Sequence, residues 1–108
     1  MDLRELFEGM AKIAFDPKEA EGWNTIIQYD INGEGGGKFY LKIKDRKCKL
    51  FEGEAENYNL KIIADIENWF AISRGELSGQ EAFFSGKLKV EGDMNELFRM
   101  QSVFRTRS

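Results

Sequence analysis

Glycine, lysine and carboxylate are the residue types in this chain whose spacing invites a chemical reading. Gly33-Glu34-Gly35-Gly36-Gly37-Lys38 has the composition of a phosphate-cradling loop. Such a loop needs G-x-x-x-x-G-K followed by Ser or Thr and then a helix, so that backbone N–H groups and the lysine converge on phosphate oxygens. Here Phe39 follows the lysine and a strand pattern follows Phe39, so the stretch reads as a flexible hairpin connection. Glu52, Glu54 and Glu56 alternate along the chain, but the D-x-[DN]-x-[DN]-G spacing of a calcium loop is absent. Cys48 lies between Lys47 and Lys49, whose charges favour a thiolate, yet a lone strand cysteine is more simply a small packing residue. Ser73, Ser85 and Ser102 have no base partner that spacing can nominate.

The chain has no histidine and a single cysteine, which removes the usual general base, the usual zinc ligand and any disulfide framework. These readings point away from an enzyme and imply neither metal nor cofactor. A net charge of −3 argues against nucleic acid, for which a basic domain is expected. The charge is unevenly spread: six of the sixteen basic residues fall between Lys38 and Lys49, opposed only by Asp45. Alternation sends Lys38, Lys42, Lys44, Lys47 and Lys49 to the outer face of a hairpin. That face is a solvated surface that discourages edge pairing, or a patch for transient contact with an anionic membrane surface, at about 1 kcal/mol per exposed lysine.

The elements that hold these groups follow from periodicity. Leu3, Leu6, Phe7, Met10 and Ala14 repeat with helical spacing over 2–14, and Asp16-Pro17-Lys18-Glu19 opens a short second turn that Gly22 ends. From Trp23 the period becomes two, giving a strand to Ile31 with Trp23, Thr25, Ile27, Tyr29 and Ile31 on one side. Strands are also predicted around Phe39 to Lys44, Lys47 to Phe51, Tyr58 to Ala64 and Lys87 to Glu91. Helices are predicted from Asp65 to Gly75, from Ser78 through Phe84, and from Asp93 onward. The order is helix, four strands, two helices, strand, helix, an α+β layout with helices covering one face of a mostly antiparallel sheet. No linker or repeat interrupts it, so residues 1–108 are expected to form a single domain. No apolar run reaches the roughly 18 residues of a membrane span, and Met1-Asp2-Leu3-Arg4-Glu5 is not a signal start. A cytoplasmic location is the expectation.

The last forty residues concentrate Trp69, Phe70, Phe83, Phe84, Met94, Leu97, Phe98, Met100 and Phe104 on three helices. Such a stripe is core by default, and several Met and Phe together also suit an adaptable apolar pocket.

The run Glu81-Ala82-Phe83-Phe84-Ser85-Gly86-Lys87-Leu88-Lys89-Val90-Glu91-Gly92-Asp93-Met94 resembles the signature of the sterol carrier protein 2 family: an A-F pair, a G-K-L-K strand, and G-(D/N)-M opening the final helix. The stretches from Gly33 to Tyr40 and from Gly53 to Asn57 resemble prokaryotic single-domain members of that family. The resemblance implies a five-stranded mixed sheet with helices on one side and an apolar tunnel between them. It also implies non-catalytic carriage of a lipid ligand: fatty acid, acyl-CoA or a sterol-like lipid. The alternative it leaves is an accessory interaction module of a lipid or isoprenoid-quinone pathway with no bound ligand.

On this resemblance the expected lipid-binding residues are Phe70, Phe83, Phe84, Met94, Phe98 and Gln101, with Met94, Leu97, Phe98 and Gln101 sharing the inward stripe of the last helix. The sequence departs from the family pattern where Asn95, Glu96, Leu97 and Phe98 replace usually small residues, so Phe98 is expected to project into the tunnel, either as a plug that narrows it or as an aromatic wall against the ligand. The proline expected ahead of the A-F pair is absent near Ser78-Gly79, and Arg105-Thr106-Arg107-Ser108 is not the S-K-L type of peroxisomal address.

Overall fold

A computed structural model describes residues 2–104. The readings made on Met1 and on Arg105 to Ser108 fall outside the described residues. Helix α1 spans Leu3–Gly9, capped by Asp2, whose Oδ1 accepts from the Glu5 amide at 2.9 Å. The helical spacing read as far as Ala14 continues, but as a wider π-helical turn, Met10–Ala14. Five strands follow the expected order: β1 Thr25–Asn32, β2 Gly37–Lys44, β3 Lys47–Glu52, β4 Leu60–Asp65 and, after two helices, β5 Leu88–Gly92. Helices α2 (Ile66–Ser73), α3 (Gly79–Phe84) and α4 (Met94–Val103) complete the set.

The caps account for where the later helices begin. Ser78 Oγ accepts from the Glu81 amide at 3.0 Å, and Asp93 Oδ1 accepts from the Asn95 amide at 2.9 Å, each satisfying an otherwise orphaned donor. Asp65 occupies the N-cap position of α2, but its side chain makes no capping bond. Asp45 and Arg46 both take positive φ, 53° and 60°, which closes the two-residue β2–β3 hairpin in the sense that matches strand twist.

Strand order in the sheet is β3-β2-β1-β4-β5. The β1–β4 pair is parallel and the other three ladders are antiparallel, as a mixed, mostly antiparallel sheet requires. Ile27, Tyr29, Ile31, Phe39, Leu41, Ile43, Leu60, Ile62 and Leu88 are buried beneath the helices. Phe7 of α1 lies 4.9 Å from both Tyr29 and Phe39, and Trp69 of α2 lies 5.7 Å from Phe7 and 5.3 Å from Tyr29, ring centre to ring centre. Tyr29 donates its hydroxyl to Met100 Sδ of α4 at 3.4 Å, so all three helices stand over the same face.

The chain between α1 and β1 clasps the last helix. Trp23 Nε1 donates to Glu96, Arg99 donates to the carbonyls of Glu19 and Glu21 at 3.0 and 2.9 Å, and the Asp16 amide donates to the Val103 carbonyl at 2.8 Å.

Two polar residues on the other face of β1, Gln28 and Asp30, are buried. Gln28 donates to the Gly53 carbonyl (3.2 Å) and accepts from the Ala55 amide (2.9 Å), while Asp30 accepts from Gln28 (3.2 Å) and pairs with Lys61 (3.1 Å). The Gly53–Ala55 segment is thereby folded down over the sheet, which strand alternation alone does not reveal.

Candidate functional site

The six residues singled out for lipid contact all lie at the α2–α3–α4 end, but they are not brought into one enclosed space. Phe70 and Phe83 are half-buried against the core. Phe84 and Phe98 are 76% and 61% exposed, Met94 is 37% exposed, and Gln101 faces solvent. The expected inward stripe of α4 is therefore corrected: Leu97 and Val103 are buried and Met100 packs against the core, while Phe98 and Gln101 are turned outward. The physical reason is that α4 offers two adjacent stripes. Leu97, Met100, Val103 and Phe104 bury more apolar surface than Met94, Phe98 and the amide Gln101, and burial selects the larger set. Phe104 meets Phe15 at 5.7 Å and fixes that choice. Phe98 thus does not plug an interior tunnel. Phe84 borders an open depression with Ser78, Gln80, Glu81 and Ser85.

A second cavity, about 420 Å³, separates the first helix from edge strand β3. Arg4, Glu8, Ala11 and Lys12 line it from the helix side, with Cys48 to Glu52 and Phe39 on the strand side. Sequence reasoning missed it, because strand alternation predicts which way Cys48 and Leu50 face but not that a π-helical turn lies beside them.

On the opposite sheet face the register sets Lys42 directly across from Lys49 and Lys44 across from Lys47. None of the four has an ion pair among the described residues, whereas Lys38 is held by Glu54 at 2.6 Å. Tyr40 stacks on Phe51 at 5.0 Å beside them.

Burial pushes the Tyr29 phenol far above its usual range and the Cys48 thiol up to about 12, so both are neutral at physiological pH. Lys38 and Lys61 are raised chiefly by hydrogen bonds to Glu54 and Asp30, which keeps them charged. Trp69 Nε1 and Thr25 Oγ1 are buried without a hydrogen-bond partner among the described residues. Among the described residues no cluster of His, Cys, Asp or Glu could hold a metal ion, and no helix is long and apolar enough to cross a membrane.

Comparison with known proteins places this geometry. The hydroxysteroid dehydrogenase-like protein 2 of Xenopus laevis is 24% identical over 102 residues, covering 94% of this chain and 24% of its own length. The chain thus spans about a quarter of that relative. The double mutant S233Y F250G of the sec-alkyl sulfatase PisA1 superposes with a TM-score of 0.87 at 16% identity, over all of this chain and 17% of that one. The solution structure of palmitated SCP2L2 from Aedes aegypti superposes with a TM-score of 0.79 at 19% identity, over 100% and 99% of the two chains. The family model described as the SCP-2 sterol transfer family matches residues 5–105, and the chain belongs to that family.

Proposed function

We propose that residues 1–108 form a single non-catalytic domain that carries a long-chain lipid, whether fatty acid, acyl-CoA or a sterol-like molecule. The observation that carries the reading is the exposure of Phe84, Met94 and Phe98 on α3 and α4 of a chain whose core is otherwise well filled. Large apolar groups left exposed on a folded chain mark surface that expects a partner. Phe70 and Phe83 back them from the half-buried layer, and Gln101 supplies a polar group at the edge. That family membership and a palmitated structural relative accompany this arrangement supports the choice of ligand class.

The energetics suit reversible carriage. Each methylene removed from water contributes about 0.8 kcal/mol, and association with ordering costs about 4–15 kcal/mol, so a long acyl chain binds with modest affinity and little headgroup selectivity. Lys42, Lys44, Lys47 and Lys49 are the groups for transient contact with an anionic membrane during loading and release, with Lys38 neutralised by Glu54. The reading extends to the cytoplasm, in keeping with an unpaired cysteine.

A second reading has its own support: the matching part is only 17% of the sulfatase chain by structure and 24% of the dehydrogenase-like one by sequence, as for an accessory module. A native mass spectrum of freshly purified protein separates the two. Co-purifying lipid of acyl-chain mass supports carriage; a bare protein that also takes up no added palmitate supports the accessory module.

A further inference from the structure

We infer that edge strand β5 is a self-association surface, on which two copies of this chain pair their β5 strands antiparallel about a twofold axis through Val90. The two five-stranded sheets then become one continuous sheet. This pairing is independent of what the helices carry.

β5 ends the order β3-β2-β1-β4-β5, so β4 lies on one side of it and no strand lies on the other. The register fixes which backbone groups turn to the free side. The Asp93 amide donates at 2.9 Å to the carbonyl of Asn59, the residue that continuation of the Leu60–Gly92 register sets opposite it. Directly opposed residues of an antiparallel ladder alternate between bonded and non-bonded pairs. Lys61–Glu91 and Ile63–Lys89 are therefore the bonded pairs, and Leu88 and Val90 turn their N–H and C=O groups to the free edge. Lys89, Glu91 and Gly92 are exposed and Val90 is half-buried, so that edge is open.

A row of unpaired donors and acceptors is a template for another strand, and the side chains decide which strand fits. Lys87-Leu88-Lys89-Val90-Glu91-Gly92-Asp93 is antisymmetric in charge about Val90. Pairing centred there lets the two Val90 residues exchange both backbone bonds. It also sets each Lys89 against Glu91 of the second copy, in the non-bonded type of pair where side chains approach closest. Just beyond the strand ends Lys87 comes opposite Asp93. The neighbouring symmetric registers, centred on Lys89 or on Glu91, put like charges directly opposite and are disfavoured. Within one chain Lys61 already lies across from Glu91, so Lys61, Glu91 and Lys89 of the second copy continue one row of alternating sign.

The other edge of the sheet is built against such pairing. In β3 the one acid, Glu52, lies on the opposite face from Lys47 and Lys49, so no symmetric register sets a lysine against a carboxylate. A strand pair as short as β5 buries less than the ~1,600 Å² of a standard interface, which makes the dimer reversible and concentration-dependent.

Sedimentation velocity from micromolar to millimolar concentration, beside amide exchange at Val90, tests the pairing. Wild type is expected to pass from monomer to dimer over that range, with the Val90 amide gaining protection as it does. Lys89→Glu and Glu91→Lys, both at exposed positions, should keep their melting temperature and weaken association at least about tenfold. Mixing the two variants sets opposite charges across the axis again and should restore the dimer. Val90→Pro removes an N–H that the β4 ladder does not use and should abolish the dimer in a folded chain. A wild type that stays monomeric at millimolar concentration overturns the inference. So does a dimer that survives both charge reversals, a mixture that fails to restore it, or a dimer that leaves the Val90 amide unprotected.

Discussion

The two ends of the helix layer are made from the same residue types and use them in opposite ways. Under α1 and α2, four aromatic side chains, Phe7, Tyr29, Phe39 and Trp69, close on one another at 4.9–5.7 Å and are almost wholly buried. At α3 and α4, Phe84, Phe98 and Met94 project from helices whose inward positions are already taken by Ala82, Leu97 and Val103. Apolar composition thus says how much surface must find cover, while the position of each helix on the sheet says whether the protein or a ligand supplies it. The first end is closed by its own packing, and on the proposed reading the second is left for a ligand to cover.

The contrast can be broken most forcefully at Phe7. Its replacement by Ala removes a fully buried ring from the aromatic cluster and should cost about 3–5 kcal/mol, read from the midpoint of chemical denaturation. A loss below about 1 kcal/mol, the range of surface substitutions and their neighbours, would mean that the packed end is not what holds the fold.

Gly92 is the next largest. It has φ 109°, and a Cβ there would lie 2.4 Å from the Asn59 carbonyl oxygen, because the Asp93 amide binds that same carbonyl at 2.9 Å to turn β5 into α4. Gly92→Val should lower the melting temperature by on the order of 10 °C, as backbone strain of about 1–3 kcal/mol with an added clash implies. An unchanged melting temperature with lost lipid binding would instead assign Gly92 to the ligand.

A smaller effect of opposite sign is expected on the outer face. Lys42→Glu replaces a like-charge pair across from Lys49 with an opposite one and should stabilise by about 0.2–1 kcal/mol, while weakening sedimentation with phosphatidylserine vesicles at low salt. Undiminished vesicle binding would leave that lysine face without a membrane role.

The sequence showed the order of elements and the covered face of the sheet, because helical and strand periods switch cleanly at Trp23, Asp65 and Gly86 and because Ser78 and Asp93 cap as their types suggest. It also pointed to the end of the molecule where apolar groups are in surplus. It did not show which stripe of α4 turns inward, since Leu97/Met100 and Met94/Phe98 repeat with equally helical spacing and only docking against Tyr29 and Phe15 separates them. Nor did it show the burial of Gln28 and Asp30, which depends on the Gly53–Ala55 segment folding over them. The cavity beside Cys48 was invisible for the same kind of reason: Ala11, Lys12 and Leu50 meet only in the folded chain.

The central claim is that the α3–α4 end displays its aromatics for a ligand and not for the core. Titration of a fluorescent long-chain fatty acid against the wild-type chain and the Phe84→Ala/Phe98→Ala variant, beside their denaturation midpoints, tests it most directly. The expected result is a stability change within about 0.5 kcal/mol per site, as for exposed positions, together with binding weakened about tenfold or more, a loss of ~1.4 kcal/mol. Wild-type affinity in the variant, or a stability loss on the scale of Phe7→Ala, would contradict it.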